Sequence, residues 1–226
     1  MSLSSPAPTP RDADPGPYYQ SDRSELYAFA RRSGLGPCAR VLNVGCAAGA
    51  DAQQLRALGA QVLCGVEPAP QAAAAARRTY DQVFEATLED YVWDGTCFDL
   101  IVFADSLEHM RDPGAALTRV RAWVPGRGAL LISIPNVRHI GVIWEILRGD
   151  FRYRDAGILD RTHLRFFTSR SFLRILNEAG WRCETMRRWG AMRSARWVAH
   201  AVPGTGEFVQ SQVFIIARRD DAARQV

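Results

Sequence analysis

Val41-Leu42-Asn43-Val44-Gly45-Cys46-Ala47-Ala48-Gly49-Ala50 decides how this 226-residue chain reads. An apolar, β-prone run stops at Gly45, a turn of small residues follows, and the pattern becomes helical through Asp51-Ala52-Gln53-Gln54-Leu55-Arg56-Ala57-Leu58. Strand, tight turn and helix N-terminus in that order form the arrangement with which α/β sheets hold the nucleotide end of a cofactor. Gly45 and Gly49 carry no Cβ, so the backbone can bend sharply and admit a ligand to van der Waals contact. About 20 residues on, a second apolar run, Gln61-Val62-Leu63-Cys64-Gly65-Val66, ends in Glu67, and an acid at that strand tip can accept hydrogen bonds from both hydroxyls of a ribose.

On either side of this unit, strands and helices alternate: helix 21–33, strand 40–45, helix 51–58, strand 61–66, helix 69–79, short strand 82–85, strand 98–104, helix 113–124 and strand 128–134. Alternation at this pitch implies βαβ units and a parallel sheet. Asp112-Pro113 supplies a cap and an N1 proline for the fourth helix. From Pro135 to Thr168 the rhythm breaks into a helix near 140–148 and an aromatic, Arg-rich stretch, placed where open α/β sheets bind their ligands. A helix over 169–179 follows, and Trp181–Trp189 with Val209–Ala217 fit an antiparallel hairpin. The expected organisation is a disordered tail over 1–17, one domain over 18–217 with a cap insertion at about 136–168, and a C-terminal tail over 218–226.

The composition, 47% hydrophobic and 23% charged, is that of a soluble globular protein. Net charge is +4 and every basic residue is Arg. The Arg residues are scattered with no long basic run, so nucleic acid is not an expected partner. Five cysteines form no CxxC pair and no zinc spacing, which suits reduced thiols and a cytoplasmic setting. No apolar run nears the roughly 18 to 20 residues that span a bilayer, so no membrane association is expected. Met1 to Pro17 has no hydrophobic core of a signal peptide.

In this order the features resemble the class I S-adenosylmethionine-dependent methyltransferases. The resemblance rests on the turn 44–49, on Glu67, on Leu88-Glu89-Asp90 and on Phe98-Asp99-Leu100-Ile101-Val102-Phe103-Ala104-Asp105. It implies an α/β, Rossmann-like seven-stranded, mostly parallel sheet with helices on both faces and a terminal antiparallel hairpin. It also implies S-adenosyl-L-methionine as cofactor, held by Tyr19, Asn43, Gly45, Cys46, Ala47, Gly49, Glu67, Pro68, Leu88, Glu89, Ala104 and Asp105. A narrower similarity is to ubiquinone-biosynthesis-type and bacterial sugar or secondary-metabolite O-methyltransferases. It is carried by Asp105-Ser106-Leu107-Glu108-His109, by Ser133-Ile134-Pro135-Asn136-Val137-Arg138-His139 and by the run 157–168. The family commonly has Asp at the position of Asn43, Gly at that of Ala47 and an acid at that of Thr87. A partial match to GxGxxG keeps a dinucleotide-binding reading alive at the turn.

Methyl transfer from a sulfonium has a good neutral leaving group, so alignment of the reacting atoms is the main requirement. A hydroxyl acceptor also needs to lose its proton. The candidate catalytic residues are His109 and His163, the latter with Asp160 as an orienting acid; the alternative at 160–165 is a structural network of Asp160, Thr162 and Arg165. Candidate substrate contacts are Asn136, His139, Trp144, Tyr153 and Arg165. Trp144, Phe151, Tyr153, Phe166 and Phe167 would furnish an apolar wall, or else the cap's own core, and Arg148, Arg152 and Arg154 an anion clamp. No metal is required, although Asp105, Glu108 and His109 keep the acid-x-x-Glu-His spacing with which some ubiquinone-type relatives hold a divalent ion. The expected partner is a small-molecule acceptor, with a homodimer allowed. Transfer to nitrogen or carbon, a cofactor-binding module without catalysis, and a nucleic-acid methyltransferase are the competing functions; the last lacks an NPPY-type motif.

Overall fold

A computed structural model of the chain describes residues 23–190 and 208–220. The expected N-terminal tail, Tyr18 and Tyr19, and most of the stretch between the last two strands lie outside the described residues. The strands are β1 (Arg40–Val44), β2 (Val62–Val66), β3 (Gln82–Phe84), β4 (Leu100–Ala104), β5 (Ala129–Pro135), β6 (Trp181–Trp189) and β7 (Gln212–Arg219). The helices are α1 (Ser24–Arg32), α2 (Ala52–Ala57), α3 (Pro70–Ala76), α4 (Pro113–Val120), α5 (Ile140–Leu147) and α6 (Ser169–Glu178). The seven strands form one sheet in the order β3-β2-β1-β4-β5-β7-β6. β1 pairs in parallel with β2 and β4, while β7 runs antiparallel between β5 and β6.

The inner strands are predominantly apolar because both faces of the sheet are covered, with Asn43 and Ser133 as buried polar exceptions. Side chains alternate between the faces. Val41, Leu63, Leu100, Val102 and Leu131 pack with residues of α1 and α2 on one side. Leu42, Val44, Ile101, Phe103 and Ile132 pack with residues of α4 and α6 on the other. Strand order reverses between β1 and β4, so the crevice beyond their C-terminal ends is the ligand position that this topology creates.

Three of the boundaries that differ from the sequence expectation have a local cause. The helix expected over 69–79 ends at Ala76, where the Thr79 hydroxyl lies 3.2 Å from the Ala76 carbonyl and 3.4 Å from that of Gly49. The helix expected over 113–124 becomes α4 and a 3-10 turn, Arg121–Trp123, with the Arg121 guanidinium donating to the carbonyls of Gly180 and Asp220. β7 runs two residues past Ala217, because Arg218 pairs with Glu184 at 2.9 Å and stays in register with Ala129 and Arg182. Among the described residues no helix is long and apolar enough to cross a membrane.

Candidate active site

The first side of the cleft is built from main chain. Gly45 and Gly49 have φ of 75° and 85°. A Cβ on Gly45 would lie 2.9 Å from that of Ser106; one on Gly49 would lie 2.5 Å from Thr79 Oγ1 and 3.0 Å from Ala76 Cα. Between them Ala47 has φ 48°, a left-handed conformation that costs a non-glycine residue about 1–2 kcal/mol. Asp105, at the tip of β4, is the other described non-glycine residue with positive φ, at 51°. Strain of this kind collects where function holds the backbone in place.

Glu67 secures the turn. Its Oε2 accepts from the Ala47 amide at 2.9 Å and its Oε1 from the Ala69 amide at 3.0 Å. Burial pushes its carboxyl above the usual range, and the two amide hydrogen bonds work against that rise. Each oxygen keeps a further lone-pair site, so the acid can serve turn and ribose together.

The remaining expected cofactor residues fall into different places. Asn43 is fully buried beneath the turn, with Nδ2 donating to Tyr80 Oη at 2.8 Å and to Asp51 Oδ2 at 3.4 Å. It is therefore a support of the turn and not a ligand contact. Asp51 supplies beside it the carboxylate that position 43 lacks. Cys46 packs inward against Gly65, where an added Cβ would sit 2.5 Å from Cys46 Sγ, and burial drives its thiol pKa well up. Leu88 is likewise core, packed with Tyr91, whereas Pro68 and Glu89 are exposed near the β2 and β3 tips. Ala104 ends β4 and is buried. Tyr19 lies outside the described residues.

Arg23 was not legible in the sequence. Its side chain, only 10% exposed, bridges Asp51 at 3.2 Å and Asp105 at 3.5 Å across the β1 and β4 tips. Burial works to lower its pKa, but the two carboxylates outweigh that and hold the guanidinium above its ordinary value. Asp105 also accepts from Ser133 Oγ at 2.7 Å and from Gln212 Nε2 at 3.2 Å. An arginine just ahead of the first helix has no local pattern to betray it; only the fold brings it over the cleft. A cavity of about 40 Å³ beside it is lined by Arg23, Asp105, Ser133 and Gln212 among others.

The second side of the cleft is built from side chains. The 3-10 turn Leu107–His109 follows β4, and the Glu108 carbonyl accepts from the amides of Leu164 and Arg165 at 2.8 and 3.0 Å, which clamps the cap onto it. His109 and His163 thereby meet edge to face, with ring centroids 4.8 Å apart. His163 is buried; its Nδ1 donates to the Ile158 carbonyl at 3.1 Å, and its Nε2 lies 3.9 Å from Glu108 Oε1. His109 is half-buried and its Nδ1 lies 3.2 Å from both the carbonyl and the hydroxyl of Thr162. Burial, with His163 adding to it, pushes the His109 pKa down to about 4, so the ring is neutral at physiological pH. Burial and the neighbouring Asp105 raise the Glu108 carboxyl well above its usual range.

Several expectations for the cap are corrected. Asp160 does not orient His163; its Oδ1 accepts from the Thr162 amide and hydroxyl at 2.8 and 2.6 Å, and so orients the residue that meets His109. Asn136 is buried, with its Nδ2 donating to the Gln210 carbonyl and its Oδ1 accepting from the Arg138 amide, and shapes the turn after β5 instead of facing an acceptor. His139 caps α5, accepting from the Gly141 amide at 3.2 Å. The Arg165 guanidinium donates to the Arg111 carbonyl. Phe167 belongs to the main core against Phe172. Phe151, Tyr153 and Phe166 do form one aromatic cluster, with Phe166 6.2 Å from the His163 ring. Trp144 is half exposed under the Arg148 guanidinium at 5.1 Å. Arg152 pairs with Asp150 at 3.0 Å and Arg154 with Glu145, so two of the three arginines of the expected anion clamp are already paired with carboxylates.

A family profile described as a methyltransferase domain matches residues 17–186. Over 102 residues the chain is 32% identical to the ubiquinone biosynthesis O-methyltransferase of Bradyrhizobium diazoefficiens, a match covering 43% of this chain and 40% of that protein. The chain thus spans about two fifths of the length of the curated relatives it matches. Among solved structures, a SAM-dependent methyltransferase from Archaeoglobus fulgidus superimposes with a TM-score of 0.67 at 15% identity, covering 90% of this chain and 97% of the other. The magnesium protoporphyrin IX methyltransferase of Synechocystis, crystallised with SAH, gives 0.61 at 14% identity, covering 87% and 81%. With this sheet order, this turn and the family match over most of its length, the chain belongs to the class I S-adenosylmethionine-dependent methyltransferases.

Proposed function

We propose that the protein transfers a methyl group from S-adenosylmethionine to a hydroxyl oxygen of a small metabolite. The observation that carries the reading is the pairing of the two sides of the cleft: a strained glycine turn held by Glu67, and facing it across the β4 tip a half-buried neutral imidazole, His109, backed by His163. Bound S-adenosylmethionine supplies an electrophilic methyl on a sulfonium. Glu67 accepts from the ribose hydroxyls, and the guanidinium of Arg23 offers a buried cation to a carboxylate at the methionine end, exchanging it for one of its two acids. His109 would take the acceptor's hydroxyl proton, and the bound cofactor would supply the methyl group with a neutral thioether as leaving group. His163 holds the His109 ring from behind. The Phe151, Tyr153 and Phe166 cluster next to His163 supports an aromatic or sugar-ring acceptor.

The test uses methyl-labelled S-adenosylmethionine with a panel of phenolic, sugar and amine acceptors, and locates the label by mass spectrometry. Label on oxygen, with turnover reduced about 10²- to 10⁴-fold in the His109→Ala, His163→Ala double variant, is the expected result. Full turnover in that variant, or label on nitrogen or carbon, overturns the hydroxyl reading.

A further inference from the structure

We propose that Asp160 and Thr162 are positioning residues for the transfer: together they hold His109 in the tautomer with hydrogen on Nδ1, which makes Nε2 the basic nitrogen. The tautomer stands on geometry alone; its catalytic consequence rests on the hydroxyl transfer proposed above.

Asp160 is buried, and its Oδ1 receives two hydrogens from Thr162, the amide's at 2.8 Å and the hydroxyl's at 2.6 Å. The amide bond closes an Asx turn, in which a short acid holds the main chain two residues on. A hydroxyl has one hydrogen to give. Once Thr162 has given it to Asp160, the hydroxyl oxygen can meet a second polar group only as an acceptor. That second group is His109 Nδ1, at 3.2 Å, and the Thr162 carbonyl, which accepts and never donates, lies 3.2 Å from the same nitrogen. A lone pair on Nδ1 would face two oxygens with nothing to donate, whereas an N–H there is shared between them as a three-centre bond. Neutral imidazole holds one N–H and one lone pair, so the lone pair falls on Nε2.

Without Asp160 the Thr162 hydroxyl can turn and donate to Nδ1, and one of the two acceptors that select the tautomer becomes a donor. The ring itself need not move. The Asp160 amide donates to the Gly157 carbonyl at 3.2 Å, and its carbonyl accepts from the His163 amide at 3.1 Å. The amides of Leu164 and Arg165 reach the Glu108 carbonyl, one residue before His109. Main-chain bonds therefore fix cap turn and 3-10 turn to each other on both sides of the contact. In acid–base sites a carboxylate that selects an imidazole tautomer can matter far more to turnover than one hydrogen bond does to stability. Here the acid acts through an intervening hydroxyl.

The full chain, labelled with nitrogen-15 histidine and free of cofactor, is read by long-range proton–nitrogen correlation at neutral pH, with His109→Gln identifying the His109 signals. A pyrrole-type Nδ1 and a pyridine-type Nε2 are expected. Asp160→Ala should shift the ring toward the opposite tautomer and lower kcat about 10- to 100-fold, with KM for S-adenosylmethionine unchanged. Adding Thr162→Val to Asp160→Ala removes the competing donor and leaves the carbonyl, so the double variant should regain the Nδ1–H tautomer and most of the lost turnover. A residue that merely braces the cap would not be rescued in this way. Hydrogen on Nε2 in the unaltered chain, an unchanged tautomer in folded Asp160→Ala, or no recovery in the double variant overturns the proposal. The first of these needs no variant, so a misfolded variant does not spare it. An Nδ1–H ring with no methylation of any hydroxyl acceptor upholds the tautomer and refutes the hydroxyl reading; hydroxyl methylation by a chain with hydrogen on Nε2 does the reverse.

Discussion

The β1–β2 side of the cleft and its β4–cap side are shaped by different forces. The former is a main-chain device: two glycines and a strained alanine set the curve, and Glu67 pins it through amides. The latter carries its chemistry on side chains: the cap docks on the 3-10 turn through the Glu108 carbonyl and so brings Thr162 to His109, 53 residues away along the chain. A main-chain device fixes the shape common to every adenosyl ligand, and substitution there should act on folding and cofactor affinity. A side-chain device can be changed residue by residue, and substitution there should act on turnover.

Substituting Gly49 by Ala tests the main-chain side most severely. The new methyl would lie 2.5 Å from Thr79 Oγ1 and 3.0 Å from a backbone atom of α3, at φ 85°. Overpacking and left-handed strain together should lower folding stability by about 2–4 kcal/mol, read from urea unfolding. On the cap side the expected effect is smaller and depends on pH. Burial depresses the His139 pKa below that of a free imidazole, and its Nδ1 must be unprotonated to cap α5. A group with a depressed folded pKa gives its full contribution above the ordinary imidazole value of about 6.5 and loses it as pH falls below. The Gly141 amide should therefore exchange faster at pH 5 than at pH 7.5, after correction for intrinsic rates, in proportion to a cap worth about 1 kcal/mol. An unchanged protection factor would mean that the imidazole does not hold the helix. The smallest effect belongs to Ala47→Gly. Relief of the φ 48° strain opposes the added flexibility of the unfolded chain, so stability should change by less than about 1 kcal/mol, and a large loss would show that the methyl is a packing element.

The same contrast explains what the sequence disclosed. The turn 44–49 and the alternation of strands and helices were readable because glycine spacing and apolar periodicity are local signals. Asn43 was misread as a cofactor contact because residue type does not report depth: it lies under the turn, while Asp51 carries the charge. Arg23 left no trace, since a lone arginine among 28 basic residues gains its meaning only from the two acids that the fold brings to it. His109 and His163 were both noticed, but their contact with each other and with Glu108 depends on the cap's docking. Phe167 shows the limit of composition, since an aromatic in a cap motif looks the same whether it faces a ligand or the core.

Calorimetric titration of S-adenosylhomocysteine into the unaltered protein, Glu67→Gln and His109→Ala tests the division between the two sides most directly. The unaltered chain should bind one molecule, Glu67→Gln about 10- to 100-fold more weakly, and His109→Ala as tightly as the unaltered chain. No binding by the unaltered chain, or a loss in His109→Ala matching that of Glu67→Gln, would contradict it.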